Sequence, residues 1–225
     1  MKIVRPSIVW LGGIAPDGGK MLDNIAEAGR ICYQSEPRTS SEQFVRRRIR
    51  DGHESILEHE KISVVICVDR GVTHEIVRHR IASYSQESTR YCNYSAGKFD
   101  SGITYVGIND AIKYDPKMSE LPSYVINEII AEWCFACVDA EKHYLRMIEL
   151  GASPQIARGV LNNSTKAQLA ITMNLREWRH FFRLRYNAAA HPQMIEIAEM
   201  LLTLFKRTIP VVFDDIETME GSGSV

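Results

Sequence analysis

No run in this sequence approaches the roughly 18 consecutive apolar residues of a membrane-spanning helix. The opening Met1-Lys2-Ile3-Val4-Arg5-Pro6 also lacks the long apolar core of a signal peptide, so a cytoplasmic protein with no membrane partner is expected. Cysteine is scarce: five residues, an odd number without a regular framework, which suits a reducing compartment and argues against structural disulfides. An excess of either charge is missing too. Lys and Arg number 27 against 28 Asp and Glu, a formal charge of −1 with no basic half, which excludes a general field for nucleic acid and leaves local anion sites. Neither G-x-G-x-x-G nor a P-loop occurs, so a bound dinucleotide is expected to be held by side chains and loop amides. No Pro/Gly/Ser-rich linker divides the 225 residues. A single domain is expected over residues 1–217, with 218–225, ending in Gly221-Ser222-Gly223-Ser224-Val225, as a flexible tail.

What is present alternates between two periods. Ile8 to Leu11 before Gly12-Gly13 reads as a strand and turn, and Met21, Leu22, Ile25, Ala26, Ala28 and Cys32 keep helical spacing. Ser40 with Gln43 is a capping box for a helix through Phe44, Val45 and Ile49 that Gly52 ends. Ile62, Val64, Ile66 and Val68 alternate with Ser63, Val65 and Cys67 as a buried strand, and Val72, Ile76, Val77 and Ile81 predict a helix over 72–82. A strand is expected near 103–106 and a loop over 109–121. Pro122 opens a long amphipathic helix closed by Gly151, and residues 166–173 alternate as a strand. Asn174 with Glu177 caps a helix over 175–185, anchored by Trp178, Phe181, Phe182 and Leu184. A closing helix runs through Ile197, Leu201 and Phe205. The reading is a chain of mixed α and β elements in sheet-then-helix blocks.

The richest chemistry lies in Arg78-His79-Arg80-Ile81-Ala82-Ser83-Tyr84-Ser85-Gln86-Glu87-Ser88-Thr89-Arg90-Tyr91. Helical neighbours turn by about 100°, so the basic triplet cannot face one ligand as a unit, and at least one member serves another ligand, a partner chain or a structural carboxylate. Past Ala82, the hydroxyls of Ser83, Ser85, Ser88 and Thr89 favour a loop with Arg90 at its end, which is phosphate-binding chemistry. Arg46-Arg47-Arg48 and Arg50 admit two readings, an exposed helix face or the contact of a phosphate-ligand or nucleic-acid-binding module; the absence of interleaved aromatics favours the first. His53, Glu54, Glu58 and His59 admit a metal-dependent nucleotide hydrolase as a further alternative. The two histidines are six apart with no third ligand evident, so no metal is expected. Cys134 and Cys137 have redox spacing but sit mid-helix, as core thiols do.

Arg78-His79-Arg80, seven residues, Ser88, one residue, Arg90 resembles the signature of the flavin-dependent thymidylate synthases, spacing included. The segment Gly52-His53-Glu54-Ser55-Ile56-Leu57-Glu58-His59 is similar to another stretch of that family. Arg158 after Ile156-Ala157 resembles a nucleotide-binding arginine, and Asn174-x-Arg176, His180, Leu184-Arg185 and Ala190-His191 resemble the C-terminal block. The resemblance covers roughly residues 50 to 205. The chain departs at Gln86 and Thr89, where many relatives have Glu and Gly, and at His74-Glu75, often Arg-Gln; whether Gln86 or Glu87 takes the acidic role stays open.

The resemblance implies an α+β domain with a central, mostly antiparallel sheet flanked by helices. It implies methylation of dUMP to dTMP, with methylenetetrahydrofolate as carbon donor and FAD, recharged by NADPH, as hydride source. By the same resemblance FAD is met by Ser55, Glu58, Arg78, His79, Arg80, Gln86, Asn174, Arg176, His180 and His191, and His53 lines the folate side. dUMP is met by Glu75, Arg78, Gln86, Glu87, Ser88, Thr89, Arg90, Arg158 and Arg185, with Arg185 as the catalytic group. A homotetramer with sites shared between subunits is implied.

Overall fold

The computed structural model describes residues 1–95 and 102–217; the expected tail at 218–225 lies outside them. The strands are β1 (Lys2–Val4), β2 (Ser7–Trp10), β3 (Lys61–Asp69), β4 (Ala82–Gln86), β5 (Thr104–Val106) and β6 (Lys166–Asn174). The helices are α1 (Gly18–Tyr33), α2 (Ser41–Arg50), α3 (Arg70–Ile76), α4 (Pro116–Ser119), α5 (Ser123–Glu149), α6 (Pro154–Ala157), α7 (Leu175–Arg185), α8 (Pro192–Thr208) and α9 (Pro210–Phe213). The α+β class expected from the sequence holds: an antiparallel sheet of order β2-β3-β6-β4 is flanked by helices, and β1 and β5 pair in parallel as a separate two-stranded sheet. No helix among the described residues is long and apolar enough to cross a membrane.

The chain divides into two compact units. The first comprises Met1–Ser7, Ile66–Arg78 and Ser85–Leu169. Its core gathers Tyr94, Ile103, Tyr105, Cys137, Tyr144 and Ala157, with Tyr105 donating its hydroxyl to the Cys137 carbonyl at 2.9 Å. The second comprises Ile8–Val65, His79–Tyr84 and the described residues from Ala170 on. There Trp178, Phe181, Phe182, Phe205 and Phe213 are fully buried and meet largely edge to face, for instance Trp178 and Phe205 at 4.9 Å. Each such side chain contributes about 1.5–3 kcal/mol by leaving water, and the Trp178 indole N–H donates to the Ile62 carbonyl at 3.1 Å, so the cluster carries no orphaned donor there.

Local chemistry sets the ends of the elements that matter. Ser40 accepts from the Gln43 N–H at 3.2 Å to start α2, and Gly52, at φ +78, stops it with its N–H on the Ile49 carbonyl. Asn174 accepts from the Glu177 N–H at 2.8 Å, which starts α7 where the sequence places it. Four expectations need correction. The helix predicted over 72–82 ends at Ile76, and the stretch expected as a hydroxyl loop begins with the strand β4, whose Ser83 and Ser85 face outward between half-buried Ala82, Tyr84 and Gln86. The loop expected over 109–121 contains short helical segments at Asn109–Tyr114 and α4. Leu184 does not anchor α7; it is 49% exposed, since it sits about 120° around the helix from Trp178.

Candidate active site

In the second unit, α7 supplies Arg176, Glu177, His180 and Arg183 to one pocket. Asn174, Arg176, His180 and Arg183 line a pocket of about 470 Å³ together with Glu54, Glu58, Ile81 and Glu177. Arg176 and His180 share one face at i and i+4, as expected. The Arg176 guanidinium meets the Glu58 carboxylate at 2.5 Å, and Arg183 meets Glu54 at 2.6 Å. Arg179, one turn before Arg183 on the same helix, is buried. It donates to Glu54 at 3.1 Å, to the Val212 carbonyl, and through both Nη atoms to Asp215 at 2.6 Å. Burial alone would raise the Glu54 carboxyl, but the Arg183 hydrogen bond and the charges of Arg179 and Arg183 hold it below its usual range.

His79, the middle member of the basic triplet, turns inward while Arg78 and Arg80 stay exposed. Its Nδ1 lies 3.2 Å from a Glu177 carboxylate oxygen and its Nε2 3.1 Å from Arg185 Nε. Its ring packs at 5.1 Å on Phe181 and 5.9 Å on His180, and the Tyr84 hydroxyl donates to its carbonyl at 2.7 Å. Burial lowers the His79 pKa despite the Glu177 bond, with the Arg185 charge adding to the fall, so the ring is neutral. Burial beside Glu177 pushes the Tyr84 phenol up to about 12. A triplet member therefore serves a structural carboxylate. His79, Glu177 and His180 bring ligand-type atoms within 4.8 Å of one another, but both His79 nitrogens are already engaged. His53 and Ser55 are exposed at the 3-10 turn Glu54–His59, and His191 is exposed as the N-cap residue of α8.

The first unit holds the residues expected around the nucleotide except Arg185, which belongs to the second. Arg158 donates to the Thr89 hydroxyl at 3.1 Å, Arg90 donates through Nε to Gln155 at 3.2 Å, and the Arg90 N–H bonds Ser88 Oγ at 3.2 Å. These bonds fold a hydroxyl-and-guanidinium turn suited to phosphate. Gln86 donates to the Thr73 hydroxyl at 2.9 Å. The Glu87 carboxylate takes the Lys166 ammonium at 2.7 Å and the Gln168 N–H at 3.2 Å, so its charge is matched inside the unit. Glu75 lies half-buried on α3, its carbonyl accepting from the Arg78 N–H at 3.2 Å.

Sequence reasoning treated Glu177 only as a capping partner, and Tyr84, Arg183 and Asp215 not as site-forming groups. For Glu177 a signal existed: an acidic residue on a helix with four arginines. The carboxylates of the hydrolase alternative are each taken by arginines, Glu54 by Arg179 and Arg183 and Glu58 by Arg176.

The pocket sets the guanidiniums of Arg176 and Arg183 and the His180 imidazole against the carboxylates of Glu54, Glu58 and Glu177, and the two half-exposed arginines leave donors that a ligand phosphate can take. The chain is 32% identical over 204 residues to a flavin-dependent thymidylate synthase of Corynebacterium diphtheriae, covering 85% of this chain and 77% of that protein. It is 34% identical over 226 residues to one of Mycolicibacterium vanbaalenii, covering 94% and 84%. The fold is shared with a UMP/dUMP methylase, PolB, from Streptomyces cacaoi, solved with 5-Br dUMP, at a TM-score of 0.77 and 20% identity over 95% of this chain and 96% of that one. The family model described as thymidylate synthase complementing protein matches residues 20–211, and the chain belongs to that family.

Proposed function

We propose that this chain is a flavin-dependent thymidylate synthase that methylates dUMP to dTMP, using methylenetetrahydrofolate and FAD reduced by NADPH. The observation that carries the reading is that one helix supplies the set: Asn174, Arg176 and His180 line a single pocket and α7 ends on the half-buried Arg185. Bound FAD would supply the hydride for the uracil ring. Arg176, His180, Asn174, Ser55, Glu58 and His191, with Arg78, His79, Arg80 and Gln86, would hold it, and His53 would line the folate side. The turn of Ser88, Thr89 and Arg90, with Arg158, Glu75 and Glu87, would bind dUMP.

Arg185 has the chemistry of an activator rather than a base. Its guanidinium stays protonated, with a pKa above about 12, so it stabilises the anion formed when the uracil imide loses its proton and raises electron density at the carbon to be methylated. Residues 1–217 act as one catalytic domain in this reading, consistent with a family match that runs from residue 20 to 211. The enzyme works in the cytoplasm as a homotetramer with sites shared between subunits; exposed Phe135, Leu150 and Ile156 in the first unit support an assembly that covers them.

The test is the flavin. Purified protein should be yellow, release FAD on denaturation, and bleach with NADPH. A protein that carries no flavin and takes up none at micromolar FAD would refute the reading.

A further inference from the structure

Arg185 and Glu177 stand eight residues apart on α7, and the His79 ring lies between their functional groups. A guanidinium is always a donor, so the 3.1 Å contact from Arg185 Nε requires a lone pair on His79 Nε2. A neutral imidazole has one N–H, which must then sit on Nδ1 and point at the Glu177 carboxylate, 3.2 Å away. Both groups are buried, with side-chain exposures of 3% for His79 and 9% for Glu177, so water does not supply the bonds in their place.

We propose that Glu177 and His79 are positioning residues for Arg185: Glu177 selects the Nδ1–H tautomer of His79, and the bare Nε2 then fixes the rotation of the Arg185 guanidinium. This rests on the reading of Arg185 as the group that activates dUMP, and it makes His79 part of the catalytic apparatus without any contact to the reacting atoms. An arginine at the end of a helix has several rotatable bonds; anchoring Nε sets the plane in which its remaining N–H groups lie. The opposite tautomer would set an imidazole N–H against the guanidinium N–H and lose the anchor.

Protonation has the same effect as the wrong tautomer. The charged or titratable groups facing His79 are Glu177, His180 and Arg185 from α7 and Tyr84 from β4. Because the folded ring takes a proton less readily than a free one, the anchor persists at neutral pH and fails only as pH falls below the ordinary histidine range.

The experiment uses the full-length, FAD-loaded enzyme. Nitrogen NMR of ring-labelled histidine should show, at neutral pH, one buried imidazole with a protonated Nδ1 and a bare Nε2, a pattern that Glu177→Leu, which leaves Nδ1–H without its acceptor, weakens while Glu177→Gln, whose amide oxygen still accepts, largely keeps. In Glu177→Leu, dTMP formed per NADPH consumed should fall by about 10- to 100-fold, the scale of a misplaced catalytic group, with FAD content retained. His79→Gln, whose amide oxygen can accept from Arg185 in place of Nε2, should recover part of the activity that His79→Phe loses. In an Arg185→Ala background, Glu177→Leu should add less than about a two-fold loss, because the residues act as a unit.

A wild-type Nε2–H tautomer, an unchanged product ratio in Glu177→Leu, or fully additive losses would overturn the proposal. Should His79→Phe or Glu177→Leu fail to fold, the wild-type tautomer still decides. Arg185→Ala alone separates the two levels: if it forms dTMP normally, the activation reading fails, whereas loss in Arg185→Ala with none in Glu177→Leu removes only the positioning role.

Discussion

The Arg176 guanidinium and the Glu58 carboxylate lie 2.5 Å apart on the wall of the pocket, each about half exposed to solvent. An ion pair so exposed is worth about 0–1 kcal/mol, so Arg176 can exchange Glu58 for a phosphate of an incoming ligand at small cost. Glu58→Gln should therefore shift unfolding free energy by less than about 1 kcal/mol. Arg176→Ala should weaken FAD binding by about 10- to 100-fold, the scale of a lost charge-assisted hydrogen bond. Calorimetric melts and FAD titration check the pair; equal affinity in Arg176→Ala would remove Arg176 from the flavin site.

Arg179 works for stability, not for ligands. It is 1% exposed and holds Glu54, Asp215 and the Val212 carbonyl, so Arg179→Met should cost about 3 kcal/mol, the low end for breaking a buried pair because Asp215 is half exposed. Arginine contacts hold both carboxyls below their ordinary values against the opposing effect of burial. The unfolded chain therefore takes up protons first as pH falls. The contribution is full above the ordinary carboxyl range, roughly pH 4, and is lost as pH drops through the lowered values. Melting temperatures between neutral and acidic pH should show this loss in the native chain and a flatter profile in Arg179→Met.

Assembly should depend on α5. Phe135 is 65% and Val138 44% exposed, three residues apart on one face of that helix. Light scattering should give a tetramer, and Phe135→Asp should shift it to smaller species with loss of dTMP formation. An active monomer would contradict shared sites.

Much of this was legible because local chemistry decided it. The start of α7 follows from Asn174 and Glu177 three residues on, and the start of α2 from Ser40 and Gln43, contacts within one helical turn. That one member of the basic triplet serves a structural carboxylate was legible, but which carboxylate was not: His79 is drawn to Glu177, 98 residues away in sequence, and no local spacing announces that. β4 was legible but outvoted. Ala82, Tyr84 and Gln86 alternate with Ser83 and Ser85, a period of two that the hydroxyl content concealed. The buried role of Arg179 was not legible, because a helix interior that admits a guanidinium depends on Asp215, 36 residues later.

The cysteines should be dispensable for chemistry. Burial pushes the Cys67 and Cys137 thiols up, away from the thiolate a nucleophile needs. Native enzyme treated with iodoacetamide should keep dTMP formation within about two-fold, as expected when no thiolate takes part. Stoichiometric inactivation at one modified cysteine that dUMP protects would oppose this.

We propose that this protein transfers a one-carbon unit from folate to dUMP with a flavin hydride and an arginine activator. The most direct measurement follows carbon label from methylenetetrahydrofolate into nucleotide, with FAD-loaded enzyme, NADPH and saturating dUMP. Native enzyme should give labelled dTMP, and Arg185→Ala, still folded, flavin-loaded and bleached by NADPH, should give at least about 100-fold less, as for loss of an oxyanion-type donor. Unlabelled or absent dTMP from the native enzyme, or near-normal labelled dTMP from Arg185→Ala, would contradict the account.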